Sequence, residues 1–364
     1  MNLAIRENVS LAEFTTIKIG GKARFFCSAR TEDEVCEAVQ FAELNSLKIF
    51  ILGGGSNILI ADEGFDGLVL QIALKGISTF AKKDGTIFIT AGAGEDWDEF
   101  VAFCVEKKFA GVECLSGIPG LVGGTPVQNV GAYGQEVSET IVSVRCFDRK
   151  AKKFVELLNN QCGFAYRTSI FNTTQKNRFI VLSVIFKLQQ NGNPKILYRD
   201  LQNYFKDKKP SLQETRQGVI AIRSAKSMVI DERDENSKSV GSFFKNPIVS
   251  LAKFNEIKNE AKNLKVIEAT ERVPNYQVDD QNVKIPAAWL IEKSGFYKGF
   301  QFGRVGLSTN HTLAIVNLGN GTAQDVLDLK VLIQTKVKEK FAIELQPEPV
   351  FVTTNLIYTY DFSR

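Results

Sequence analysis

Between Gly117 and Gly134 the chain reads GIPGLVGGTPVQNVGAYG, with six glycines and two prolines in 18 residues. A segment with so little side-chain bulk and a proline-fixed shape suits close approach of the backbone to a flat or polyphosphorylated ligand. A loop of this length with a purely structural purpose is rare. A second cluster, Gly53-Gly54-Gly55-Ser56-Asn57, lies between the short apolar runs Lys48–Leu52 and Ile58–Ile60, which reads as strand, glycine turn, strand. A dinucleotide fingerprint of the Rossmann type needs a third glycine and a following helix; here the glycine is missing and β-branched residues follow. Three bare N–H groups in a tight turn can form a nest for phosphate oxygens or simply turn the chain. Both readings stay open at this motif.

Around these loops the chain alternates helices and strands. Thr31 is an N-cap with Glu34 three residues on, and Val35, Ala38, Val39 and Ala42 recur at helical spacing, which predicts a helix over 32–45. Trp97, Phe100, Val101, Cys104 and Val105 mark a second helix. Residues 67–93 read as strands with polar turns, and the polar stretch 203–217 reads as a boundary. Later, Pro286 and Gly295 delimit a short helix. A last one spans about 322–340, with Val326, Leu329, Ile333 and Val337 on one face.

Composition excludes several functions. The 364 residues carry 45 Lys+Arg against 41 Asp+Glu, a net +4 that gives no basic footprint for nucleic acid. The length suggests two or three domains, and 44% hydrophobic residues supply their cores. Six cysteines without a Cys-x-x-Cys pair read as free, mostly buried thiols. With His311 the one histidine, no His-rich metal site can be built, and no metal is expected. Met1–Ser10 lacks the apolar core of a signal peptide, and the longest apolar stretches, such as Phe179–Leu188, fall short of the about 20 residues that span a bilayer. A cytoplasmic protein with no membrane partner is expected.

No Gly-x-Ser-x-Gly elbow and no P-loop occur. What remains are polar residues in unusual settings: Arg167 in YRTS, Ser242 in GSFFKNP, and Glu348 between Pro347 and Pro349. Taken singly, each has an ordinary alternative: a surface ion pair, a turn residue and a solvated residue in a stiff segment.

Taken together and in order, GGGSN, GIPGLVGG with TPVQN and GAYG, YRTSIF, GSFFKNP and PEPVF resemble the UDP-N-acetylenolpyruvoylglucosamine reductases, from Asn8 to about Val352. Leu197-Tyr198-Arg199-Asp200-Leu201 looks like the tyrosine loop of the family's type I members. The resemblance implies an α+β fold, with a two-part FAD-binding domain of the vanillyl-alcohol-oxidase/PCMH type and a C-terminal α/β substrate-binding domain. The expected divisions are 1–66 and 67–215 for the two FAD subdomains, 216–345 for the substrate domain, and 346–364 for a tail returning to the active site.

The implied activity is that of a UDP-N-acetylmuramate dehydrogenase of peptidoglycan synthesis. It uses NADPH and non-covalent FAD to reduce the enolpyruvyl ether of UDP-N-acetylglucosamine-enolpyruvate, and a monomer is expected. By the same resemblance Gly53, Gly54, Gly55, Ser56 and Asn57 hold the FAD pyrophosphate. Pro119, Gly123, Gly124, Thr125, Gly131 and Ala132 wrap its ribityl chain and flavin. Arg167 matches the family's arginine and Glu348 its glutamic acid, which meet the charge that develops on the substrate carboxylate. Ser242 matches its serine proton donor. Tyr198, Lys226 and Asn246 match substrate contacts; Lys293 stands where the family has a glutamine, which leaves that contact open. The alternatives are a related FAD-dependent oxidase or dehydrogenase on another small substrate, and a non-enzymatic flavin or nucleotide-sugar binding protein.

Overall fold

Thr31 opens the first helix by accepting the Glu34 N–H at 3.2 Å, and Glu32–Leu44 then buries Val35, Ala38, Val39 and Ala42 on one face. The computed structural model describes residues 3–268, 270–354 and 357–358. It divides into two units, each made of separated stretches: Met1–Val9, Ala23–Gly55 and Phe65–Ile230 form the first, and Ser10–Lys22, Ser56–Gly64 and Asp231–Arg364 the second.

Among its described residues the first unit holds two large sheets and a two-stranded hairpin. One orders its strands Arg6–Ser10, Lys22–Ala29, Phe65–Ile72, Lys48–Leu52, and the last three are parallel. The crossover between Lys22–Ala29 and Lys48–Leu52 is the helix Glu32–Leu44, as parallel strands require. The other sheet is antiparallel and orders Lys153–Leu158, Ile141–Asp148, Phe179–Gln190, Thr86–Gly92, Ile77–Ala81, with Phe109–Ala110 also paired to Phe179–Gln190. Phe179–Leu188 is apolar because it is a central strand; Ile180, Val184 and Phe186 are fully buried. Helix Trp97–Glu106, capped by Asp96, lays Trp97 and Phe100 against Phe186, with ring centroids 4.9 to 6.0 Å apart. Each such side chain removed from water contributes about 1.5–3 kcal/mol.

The second unit has its own core, in which Phe243, Phe244, Leu290, Leu329, Ile333 and Phe351 are buried. Its largest sheet runs Ser239–Ser242, Ala314–Asn317, Val305–Leu307, Gln301–Phe302. The predicted late helices are Ala287–Lys293, with Pro286 at its N-cap, and Ala323–Phe341, opened by a Thr322/Asp325 capping box. Val350–Val352 pairs in parallel with Ile58–Ile60, and Ile17 and Leu59 join this unit's core.

Two of the three expected linear borders fall inside elements. Residues 66/67 lie within strand Phe65–Ile72, and 215/216 within helix Leu212–Ser224. The polar stretch 203–217 contains the end of one helix, Arg199–Phe205, and the start of the next, which a Ser211/Glu214 capping box opens. Their apolar faces are narrow, with Leu201, Phe205, Leu212 and Val219 buried, so composition alone resembles a linker. Of the expected tail, 346–354 and 357–358 are described; the rest lies outside the described residues. The six cysteines are free, five of them buried, and burial pushes the Cys27 thiol up to about 12 and that of Cys162 to about 11. Among the described residues no helix is long and apolar enough to cross a membrane.

Candidate active site

In the first unit the two glycine loops are packed against each other. A Cβ on Gly54 would stand 2.7 Å from Gly120 Cα, so both backbones can meet only as glycine. Gly55 turns the chain with a φ of 66°. Gly53 and Gly124 behave differently: a Cβ at either position meets nothing within 4 Å, so each borders open space. Gly123 is pinned to Ala93, whose carbonyl accepts its N–H at 2.9 Å. Thr125 is buried and spends its hydroxyl on Val122 O at 2.8 Å, and Pro119 is half-buried beside Gly120. Ser56 and Asn57, the end of the first glycine run, belong to the second unit.

Gly131–Ala132 pairs with Gln135–Glu136 in a hairpin whose turn residues, Tyr133 and Gly134, both have positive φ, 49° and 84°. Arg167 reaches this hairpin: a Cβ on Gly131 would stand 3.5 Å from its Nη1. Arg167 occupies a tight turn in which Ala165 and Thr168 exchange both backbone bonds at 3.0 Å, and its own φ is 54°. Two side chains bind this turn to the glycine loop. Asn129 Nδ2 donates to Ala165 O at 3.2 Å and to Glu136 Oε2 at 2.7 Å, and Ser169 Oγ donates to Val127 O at 2.5 Å. The YRTS and QNVGAYG motifs thus form one hydrogen-bonded body.

Also in this unit, Tyr198 caps helix Arg199–Phe205 and meets Tyr133 edge-on at 5.5 Å. Lys226 follows helix Leu212–Ser224 and donates to Asp200 Oδ2 at 2.8 Å. Burial pushes the Tyr133 phenol up, and burial also lowers the neighbouring Arg223. Burial alone would raise the Asp98 carboxyl, yet it is held below the usual range, because Arg216 binds it at 2.5 and 2.8 Å and the Gly117 N–H at 2.5 Å. Asn129, Tyr133 and Asp200 lie in motifs that the sequence singles out, but their contacts are not read from it, and Arg223 lies in no such motif.

In the second unit Ser242 ends the strand Ser239–Ser242 opposite Ala314, after a register shift at Gly241, whose φ is 74°. Phe243 and Phe244 are buried and set the strand end, leaving Ser242 half-buried. Glu348 is brought to it by the backbone: its N–H donates to Phe243 O at 2.9 Å, Phe244 bridges Pro347, and Lys245 N donates to Gln346 O at 2.9 Å. On its other side Asn57 Nδ2 donates to Glu348 O at 3.3 Å, and the Val350 N–H to Asn57 O at 3.0 Å. Residues from three distant motifs, Asn57, Ser242 and Glu348, are therefore neighbours. The Lys245 ammonium makes no hydrogen bond to Ser242. Asn246 Oδ1 accepts the Ala287 N–H at 2.8 Å at the start of helix Ala287–Lys293, and Lys293 pairs with Glu271 at 3.0 Å.

Residues 23–154 match the FAD binding domain family, and residues 233–352 match the family described as UDP-N-acetylenolpyruvoylglucosamine reductase, C-terminal domain. The chain is 41% identical over 361 residues, 98% of its length and 100% of the relative's, to the UDP-N-acetylenolpyruvoylglucosamine reductase of Thermobifida fusca. The chain belongs to the UDP-N-acetylenolpyruvoylglucosamine reductase family. The reductase of Saccharopolyspora erythraea is 42% identical over 94% of each chain. The crystal structure of the Thermus caldophilus reductase shares the fold with a TM-score of 0.63 at 23% identity, covering 97% of this chain and 99% of that one. Membership of this reductase family makes the chain an oxidoreductase with an FAD-binding domain. Its residues fit that cofactor: bare backbone borders open space at Gly53 and Gly124, and a cation lies against the hairpin at Gly131.

Proposed function

We propose that the chain reduces the enolpyruvyl ether of UDP-N-acetylglucosamine-enolpyruvate to UDP-N-acetylmuramate, with NADPH as reductant, and so supplies a peptidoglycan precursor. The observation that carries the reading is the juxtaposition of Ser242 and Glu348 through the Glu348 N–H to Phe243 O bond, in a segment that matches the reductase C-terminal domain. Gly53, Gly54, Gly55, Ser56 and Asn57 would hold the FAD pyrophosphate, and Pro119, Gly123, Gly124, Thr125, Gly131 and Ala132 the ribityl chain and flavin, non-covalently. FAD, when bound, would supply the hydride chemistry that reduction of the enolpyruvyl double bond requires, with NADPH as the source of electrons.

The chain's own residues then deal with charge and proton. Adding hydride to an α,β-unsaturated carboxylate pushes negative charge into the carboxylate, and it must be met by fixed donors. Arg167 offers a cation preorganised by its turn, and Glu348, when protonated, a neutral donor. Each is expected to stabilise the transition state by about 3 kcal/mol or more. Ser242 Oγ gives its proton to the neighbouring carbon and regains one afterwards. Tyr198 and Lys226 hold the diphosphate, for which an ammonium is suited. The Asn246 carboxamide oxygen is held by the Ala287 N–H, which would leave its N–H groups for the substrate. Lys293 would meet the substrate only by leaving Glu271. The reading takes the working unit as a monomer in the cytoplasm, where NADPH and nucleotide sugars are found.

The test is anaerobic. Adding NADPH to the purified holoprotein should bleach the flavin absorbance, and adding the enolpyruvyl UDP-sugar should restore it. A protein that neither carries nor takes up FAD, or whose reduced flavin ignores the UDP-sugar, refutes the proposal.

A further inference from the structure

The first unit carries an open cleft of about 550 Å³ whose lining includes none of the residues proposed to hold FAD or substrate. A volume of that size is ordinary for a small-molecule site, about 300–1,000 Å³. Val39 and Ala42 of helix Glu32–Leu44 and Ile49 of strand Lys48–Leu52, all buried, give it an apolar floor together with the half-buried Leu47. Arg149, Lys150 and Lys176 line the same cleft and bring three positive charges. The other charged groups there are matched: Glu43 receives the Lys152 ammonium at 2.7 Å, and Arg178 is held by Asp148 at 2.7 Å. Arg149 and Lys176 are half-buried, and burial pulls both cations below their ordinary values. Charges drawn out of water are as a rule paired. Among the described residues no carboxylate bonds either one. Arg149 gives one N–H to the Asn177 carbonyl at 2.8 Å and feels Glu43 only through space, and the Lys176 ammonium makes no hydrogen bond. The frame around them is fixed: the Arg149 N–H donates to Arg178 O at 3.0 Å, Arg178 Nη1 to Gln175 Oε1 at 2.8 Å, and the Lys150 N–H to Asp148 Oδ1 at 3.0 Å.

We propose that this cleft binds a small phosphate monoester with an apolar body, the dianion held by Arg149 and Lys176 and the body laid on Val39, Ala42, Leu47 and Ile49. A guanidinium has five N–H donors, so the bond to Asn177 O leaves four, in a planar fork that matches two phosphate oxygens. The Lys176 ammonium adds a second charge, and the exposed Lys150 attracts the anion towards the cleft. Three unmatched cations suit a dianion better than a single carboxylate, and the apolar floor favours an organic ester over inorganic phosphate. The opposing effect is repulsion from Glu43. That carboxylate is 46% exposed and already carries the Lys152 ammonium, so solvent and pairing screen it, and attraction dominates. Because the turn and the loop 174–178 are fastened to each other beforehand, little ordering is left for binding to do.

The experiment is calorimetric titration of the holoprotein, in excess UDP, with 1-naphthyl phosphate, with inorganic phosphate and with 1-naphthol. The ester should bind with a Kd of about 0.1–1 mM, ordinary for so small a ligand, and the other two at least about tenfold more weakly. Lys176→Met and Arg149→Met should each raise the Kd of the ester about fivefold or more, and Arg149→Lys should lose less. Lys176→Met removes an unpaired, half-buried cation, so its melting temperature should hold or rise while the ligand is lost. No heat from the ester, an equal affinity for inorganic phosphate (an adventitious ion only), displacement by UDP, or a Kd that ignores Lys176→Met would each overturn the proposal. If Arg149→Met fails to fold, the Lys176→Met titration decides alone. None of these outcomes depends on the reading of the reaction given above.

Discussion

The backbone N–H of Glu348 donates to the carbonyl of Phe243 at 2.9 Å, which docks the glutamate beside the residue that follows Ser242. The bond uses no side-chain atom, so any residue except proline can make it. Pro347 and Pro349 on either side restrict the backbone of the segment. The chain thus delivers a carboxyl group to the strand end through a backbone bond.

The role of the Glu348 carboxyl is tested by substitution. Glu348→Ala is expected to lose about 10²–10³ in kcat. Glu348→Gln keeps an N–H donor and should lose less, about tenfold. If the glutamine variant is the worse of the two, a neutral donor is the wrong role for this residue.

For Ser242→Ala, the two half-reactions should separate in stopped-flow measurements. Flavin reduction by NADPH persists, while reoxidation by the UDP-sugar slows by about 10² or more, the loss expected when a general acid is removed. Equal slowing of both would assign Ser242 to folding or binding.

Two glycine substitutions distinguish packing from ligand approach. Gly54→Ala puts a methyl group 2.7 Å from Gly120 Cα, and two backbones must part, at about 1–3 kcal/mol. Its melting temperature and flavin content should both fall. Gly124→Ala points into open space, so thermal stability should hold while FAD affinity drops. Full flavin affinity in Gly124→Ala would remove that residue from the cofactor site.

Acid stability gives a prediction away from the chemistry. The Arg178 guanidinium, with help from the Lys150 and Ala151 N–H groups, holds the Asp148 carboxyl down at about 2, although burial opposes this. An unfolded aspartate titrates near about 3.9. Because the folded value lies below the unfolded one, the stabilisation is fully present above about pH 4 and is lost as pH falls from there towards about 2. Asp148→Asn should flatten the stability curve across that window and lower the melting temperature at pH 7 by about 3–8 °C. Parallel wild-type and variant curves between pH 4 and 2 would show that the pair does not control acid unfolding.

Much of this was legible locally. Caps and apolar spacing predict the helix at 32–45, where the structure has Glu32–Leu44, and the last helix at 322–340, where it has Ala323–Phe341. Both glycine loops lie where the sequence puts them, and the second is the one that carries Tyr133 and Gly134 at positive φ. The borders were not legible. Ile58–Ile60 reads as an ordinary short strand, and nothing in its own residues says that it pairs with Val350–Val352 across almost the whole chain.

Local chemistry therefore determined what each segment of this protein is: a capped helix, a glycine turn, an apolar central strand, a motif of a known reductase family. Those properties depend on residues within a turn or two of one another, through capping, periodicity and backbone freedom. Which segments share a unit, and that Asn57 and Glu348 are neighbours while Asp200 fastens Lys226, only the tertiary structure decided. Contacts of that kind form when distant strands and helices bury their apolar faces together, and no short stretch of sequence carries the register in which they do so.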